Sequence, residues 1–143
     1  MAPDEFQQNV LIVEDQEGPR KALLMILSSF YRIFTAETAS AALKIIGESP
    51  IDLVIMDVGL PDISGMELLR RVRASGQAVK VIVVTGRGSL ESAEEAMRLG
   101  AVAYLLKPFN LLEVLELVQQ GVKTSAAELA LRLPMSTRAV SPR

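Results

Sequence analysis

Apolar residues along the chain fall into two alternating patterns. Short runs rich in Val and Ile recur as NVLIVE at 9–14, YRIFTA at 31–36, IDLVIMD at 51–57, KVIVVT at 80–85 and VAYLL at 102–106, and they predict five strands. The first, third and fourth are nearly unbroken in hydrophobicity, which suits parallel strands covered on both faces and places them at the centre of a sheet. Between the runs the apolar spacing becomes helical. Leu23, Ile26, Leu27 and Phe30 form one stripe, Leu68, Leu69 and Val72 a second, and Leu111, Leu115, Val118 and Val122 a third. Ser64 with Glu67 makes a capping box, Asn110 with Glu113 resembles one, and Gly47, Gly76 and Gly100 stand where helices should stop.

Five strands alternating with five helices imply right-handed crossovers and an α/β fold with a doubly wound, five-stranded parallel sheet. Ligands of such sheets bind beyond the carboxyl ends of the strands, where the strand order reverses. The length of 143 residues suits one domain. Residues 1–7 read as an N-terminal tail and 8–122 as the folded unit. Residues 123–143 read as a C-terminal linker or tail, in which Pro134 would end any extension of the last helix.

Composition narrows the chemistry. The chain has no cysteine and no histidine, so disulfides, thiol catalysis, imidazole bases and histidine metal ligands are excluded. A net charge of -2 lacks the basic footprint of a nucleic-acid binder. The longest apolar runs are too short to span a bilayer and no signal-peptide pattern opens the chain, so a cytoplasmic location is expected.

The ends of the central strands carry Glu14 and Asp15, Asp57, Thr85 and Lys107. Three carboxylates about 5 Å apart repel by roughly 3 kcal/mol per pair at an effective dielectric near 20, so the cluster calls for cations. Lys107 supplies one, and a divalent ion with hard oxygen ligands, Mg²⁺, supplies the rest. A carboxylate so placed can attack phosphorus, and Asp57, followed by a Gly-Leu-Pro turn, fits that role while Glu14 and Asp15 fit as ligands. Thr85 and Lys107 are then expected to contact phosphoryl oxygens.

LIVEDQ at 11–16, IMDVGLPDISG at 55–65, VVTGRG at 83–88 and LLKPF at 105–109 together resemble the receiver domain of bacterial two-component response regulators. The resemblance implies a flavodoxin-like strand order 2-1-3-4-5. It also implies a phosphorylation switch in which Asp57 takes phosphate from a histidine kinase, rather than an enzyme acting on exogenous substrates. Asp15 would ligate Mg²⁺ directly, Glu14 largely through water, and Gly59 through its backbone carbonyl. Thr85 and Lys107 would read the phosphate, Tyr104 would change rotamer as Thr85 moves, and Pro108 would hold its loop through a cis peptide. Glu14 departs mildly from the commoner aspartate. The kinase is expected near the first helix, around Glu17 to Leu24. The fourth helix, fifth strand and fifth helix are expected to form the output and homodimer surface, with an output domain beyond this chain. Arg87 is expected to shield the phosphoryl group, and Gly59 to leave its approach open. Two rival readings stand beside this one: a Mg²⁺-dependent aspartyl-phosphate phosphohydrolase, disfavoured because Gly59 occupies the place of its second aspartate, and a receiver-like binding module that is never phosphorylated.

Overall fold

The computed structural model describes residues 8–86 and 90–123, excluding the side chains of residues 90 and 91. The expected tail at 1–7 and, apart from Lys123, the one at 123–143 lie outside the described residues, as do Arg87 and Gly88. The elements run β1 (Asn9–Val13), α1 (Glu17–Leu27), β2 (Arg32–Ala36), α2 (Ala39–Glu48), β3 (Leu53–Asp57), α3 (Gly65–Ala74), β4 (Lys80–Thr85), α4 (Leu90–Arg98), β5 (Ala103–Leu106) and α5 (Leu111–Val122). The strands form one parallel sheet in the order β2-β1-β3-β4-β5, as the motif resemblance implies. Strand order therefore reverses between β1 and β3, which adjoin.

The two-residue period of each strand divides the core in two. Leu11, Val13, Val54, Met56, Val81 and Val83 face α2, α3 and α4. Val10, Ile12, Leu53, Ile55, Ile82 and Val84 face α1 and α5. Every residue of β1 and β3 is buried, which is why those strands show no polar alternation.

Helix ends have local causes, and two differ from expectation. Ser64 accepts the Glu67 amide and Asn110 accepts the amides of Leu112 and Glu113. Gly76 and Gly100 take left-handed φ values of 83° and 85° just past α3 and α4, a conformation glycine adopts without strain. Gly47, however, lies inside α2, which runs on to Glu48. The stop is Ser49, held extended ahead of Pro50. Phe30 also leaves the stripe expected for α1. That helix ends at Leu27, the chain turns, and Tyr31 enters the core at 8% exposure while Phe30 stays 51% exposed.

Arg73 near the end of α3 fastens the outer side of the sheet. Its guanidinium donates to the carbonyl oxygens of Leu99 and Val79 at 2.6 Å and of Gly100 at 3.3 Å. Burial lowers its pKa to about 10, so it stays charged at neutral pH. A cation there meets the carbonyl-rich carboxyl end of α4, where helix polarity favours it. Among the described residues no helix is long and apolar enough to cross a membrane.

Candidate functional site

The carboxyl ends of β1, β3, β4 and β5 deliver the polar residues to one edge. The register pairs Ile12 with Ile55, Asp57 with Val84 and Val84 with Leu105. Continuing two residues past Ile12 and Leu105, Glu14 and Lys107 follow the side-chain direction of Asp57, toward α1 and α5. Lys107 is seated by its own amide, which donates to the Thr85 carbonyl at 2.8 Å. The Lys107–Pro108 peptide is cis, as the resemblance implied.

The Lys107 Nζ lies 2.7 Å from Glu14 Oε1 and 2.7 Å from Asp57 Oδ2. Glu14 is 2% exposed and Asp57 7%, so this ammonium bridges two carboxylates largely removed from water and offsets one of their two charges. Asp57 Oδ1 accepts the Gly59 amide at 3.0 Å, and Glu14 Oε2 accepts the Gln16 amide at 3.2 Å. Burial pushes the Glu14 carboxyl up, aided by the Asp57 charge, and Lys107 and the Gln16 amide only partly oppose it. Burial also pushes Asp57 up, but Lys107, the Gly59 amide and Glu14 together outweigh it and hold Asp57 below the ordinary carboxylate value. Lys107 feels burial in the opposite sense, and its two carboxylate partners raise it nonetheless. The two shifts run in opposite directions, so of the two carboxyls Asp57 holds its charge the more firmly.

Asp15 is exposed beside this pair. One carboxylate oxygen from each of Glu14, Asp15 and Asp57 lies within 4.8 Å of the others, an arrangement able to hold a metal ion. The donor set is entirely oxygen, as a hard cation requires. Asp15, Gln16, Asp57, Val58, Gly59, Thr85, Gly86 and Lys107 line an open cleft of about 360 Å³, wide enough for a hydrated cation and a phosphoryl group. Thr85 ends β4 and is 4% exposed. Tyr104 pairs with Val83 and Leu106 with Thr85, so Tyr104 shares a sheet face with Thr85 one pleat away. The Tyr104 hydroxyl is buried without a hydrogen-bond partner among the described residues. Such an unsatisfied group favours any rearrangement that gives it a partner.

The sequence reading passed over three residues that shape this edge. Gly65 opens α3 against the backbone of Asp57, and a Cβ there would lie 2.3 Å from the Asp57 carbonyl oxygen. Arg20 on α1 donates to the carbonyls of Glu14 at 3.1 Å and Asp15 at 3.3 Å. Asp62, in the loop after β3, accepts the first two amides of α2. Those amides, Ala39's before Ser40's, hold its carboxyl well below the usual range.

A model of the response regulator receiver domain matches residues 10–119. Sporulation initiation phosphotransferase F of Bacillus subtilis is 32% identical over 116 residues, covering 80% of this chain and 94% of that protein. The transcriptional regulatory protein MalR of the same organism is 40% identical over 105 residues, but this chain spans only 45% of its length. Among solved structures, a CheY-like response regulator receiver domain protein from Methanospirillum hungatei superposes with a TM-score of 0.78 at 32% identity, covering 82% of this chain and 94% of that one. The beryllofluoride-activated NtrC4 receiver domain, solved as a dimer, superposes with a TM-score of 0.76 at 32% identity over 80% of this chain and 96% of that one. The strand order, the acidic cleft and these matches agree, and the chain belongs to the response regulator receiver domain family, the signalling domains of two-component systems.

Proposed function

We propose that the chain is a phosphorylation switch whose Asp57 accepts a phosphoryl group from the phosphohistidine of a histidine kinase in a Mg²⁺-dependent reaction. The observation that carries this reading is the Lys107 ammonium bridging Asp57 and Glu14 beside exposed Asp15 in a cleft open to solvent. Asp15, Asp57 and the Gly59 carbonyl would hold the ion, with Glu14 acting through water. When bound, the ion supplies positive charge against the phosphoryl oxygens, which otherwise repel an anionic nucleophile.

The protein's own groups do the rest. An oxygen of ionised Asp57 forms the new P–O bond as the P–N bond of the donor breaks, and the imidazole leaves with that electron pair and takes a proton. Lys107 pairs with a phosphoryl oxygen as the charge on Asp57 is redistributed, and the Thr85 hydroxyl donates to another. Drawing Thr85 toward the phosphate opens space on the face it shares with Tyr104, whose buried hydroxyl gains a partner by moving. Hydrolysis of the acyl phosphate resets the switch, so the domain's catalysis is limited to its own phosphorylation and dephosphorylation.

Residues 8–122 form the switch unit, with 1–7 and 123–143 as tail and linker, in the cytoplasm. The kinase docks beside α1 around Glu17 to Leu24. Output runs through α4, β5 and α5, where Met97, Leu106 and Leu112 are exposed large hydrophobics suited to a second copy or to an output domain encoded beyond this chain. A shift from mostly inactive to mostly active needs about 5 kcal/mol of differential stabilisation, within reach of a few charge-assisted hydrogen bonds.

Incubation with acetyl phosphate and Mg²⁺, followed by mass spectrometry, tests the reading. One phosphoryl group per chain supports the switch. Repeated turnover of an added phosphoester would favour a phosphohydrolase, and absence of any label a binding module.

A further inference from the structure

We propose that Asp62 is a positioning residue for the metal and phosphoryl site, tying the loop that carries Gly59 to the amino end of α2 before any ligand arrives. The inference rests on the phosphoacceptor reading of the site and adds a residue to it.

Asp62 Oδ1 accepts the Ala39 amide at 2.9 Å, and Oδ2 accepts both the Ser40 amide and the Ser40 hydroxyl at 2.9 Å. These bonds span 23 and 22 residues of sequence and join two separate elements. The helix has its own cap as well, because Thr38 Oγ1 accepts the Ala41 amide at 3.1 Å. Ala39 and Ala42 are fully buried and Ile46 nearly so, which seats α2 firmly on the sheet. The helix is thus the fixed body and the loop is what the carboxylate restrains.

The loop needs such a restraint. At its root Val58 O accepts the amides of Leu60 at 3.1 Å and Gly65 at 2.8 Å. From Leu60 to Ile63, among the described residues, the hydrogen bonds to another element are those of Asp62. Leu60 and Ile63 rest on the core, but apolar contact is not directional. Gly59 is exposed, its amide donates to Asp57 Oδ1 at 3.0 Å, and a Cβ built there would meet only that same side chain at 3.9 Å, so no packed wall backs the residue. Glycine loses more conformational freedom on ordering than any other residue. A directional tether three residues further on removes that freedom in advance and aims the Gly59 carbonyl, just as outer partners orient the ligands of metal sites generally.

The test uses the whole chain with Asp62→Ala, Asp62→Asn and Thr38→Ala. Mg²⁺ binding is read by calorimetry, amide exchange by NMR and stability by thermal unfolding. Asp62→Ala is expected to raise the Mg²⁺ dissociation constant about three- to tenfold, less than loss of a group bonded directly to a ligand. It should also speed exchange of the Gly59 and Leu60 amides. Asp62→Asn, which keeps one acceptor oxygen, should fall between. Thr38→Ala should lower the melting temperature and leave Mg²⁺ affinity unchanged. Unaltered Mg²⁺ affinity in both Asp62 variants overturns the proposal, as does an equal loss in Thr38→Ala, which would assign the effect to helix stability alone. A wild-type chain that binds no Mg²⁺ would instead defeat the phosphoacceptor reading, and the tether's purpose with it.

Discussion

Replacing Lys107 by Met removes the charge and keeps most of the side chain's volume, so it isolates the electrostatic role of this residue. Each 2.7 Å contact of Nζ, with Glu14 and with Asp57, is worth about 6 kcal/mol of attraction at an effective dielectric of 20. Desolvation of the ammonium cancels much of this, and breaking a buried ion pair typically costs about 3–5 kcal/mol because the remaining charge is left uncompensated. Here Glu14 has an escape, since it can take a proton. We therefore expect a loss of about 2–4 kcal/mol at pH 7 without Mg²⁺, measured by urea unfolding. The loss should depend on pH in one direction. Burial already raises the Glu14 pKa in the folded chain, and removing Lys107 raises it further. A carboxyl whose folded pKa lies above its unfolded value loses stability as pH rises from the unfolded toward the folded value, so the deficit should shrink as pH is lowered toward the ordinary carboxyl value of 4.5. Saturating Mg²⁺ should shrink it too. A variant as stable as wild type without the ion, or one whose deficit ignores both pH and Mg²⁺, would refute the charge-balance argument.

Three further outcomes follow from the geometry. Gly65→Ala places a Cβ 2.3 Å from the Asp57 carbonyl oxygen and 2.7 Å from Val58 Cα, both backbone atoms; it should cost about 1–3 kcal/mol in urea unfolding and slow phosphorylation by displacing Asp57. Arg73→Met leaves the Leu99, Val79 and Gly100 carbonyls without their charged donor and should cost about 2–3 kcal/mol, and Arg73→Lys should not rescue it because an ammonium lacks the guanidinium fork. Because the folded pKa of Asp62 is depressed, its stabilisation is fully present above the ordinary value of 3.8 and is lost as pH falls. The stability gap between wild type and Asp62→Ala should therefore close on acidification, as acid-range thermal unfolding would show.

The parts of the molecule readable from sequence are those whose cause is local. The unbroken runs in β1, β3 and β4 reveal buried parallel strands because both faces of each are covered. Glu14, Asp57, Thr85 and Lys107 are legible because a polar residue ending a hydrophobic run has no core reason to be there. Gly47 misled because glycine alone does not end a helix, whereas Pro50 fixes the conformation of the residue before it. Phe30 misleads because its spacing continues the helical stripe past a turn that no periodicity marks. Asp62, Arg73 and Arg20 escaped notice for a different reason. Their partners include main-chain groups, 26 residues away for Arg73 and Leu99, 23 for Asp62 and Ala39 and six for Arg20 and Glu14, and a backbone amide or carbonyl leaves no trace in a string of side chains. Gly65 escaped likewise, since the atom that demands a glycine is the backbone of Asp57.

The central claim is that Asp57, and no other carboxylate of the cleft, becomes an acyl phosphate. Borohydride reduction converts an aspartyl phosphate to homoserine at its own position, so reducing the chain after exposure to acetyl phosphate and Mg²⁺ marks the acceptor residue directly. We predict homoserine at position 57 alone, dependent on Mg²⁺ and absent from Asp57→Asn. Homoserine at position 15, or none anywhere in the chain, would contradict the account.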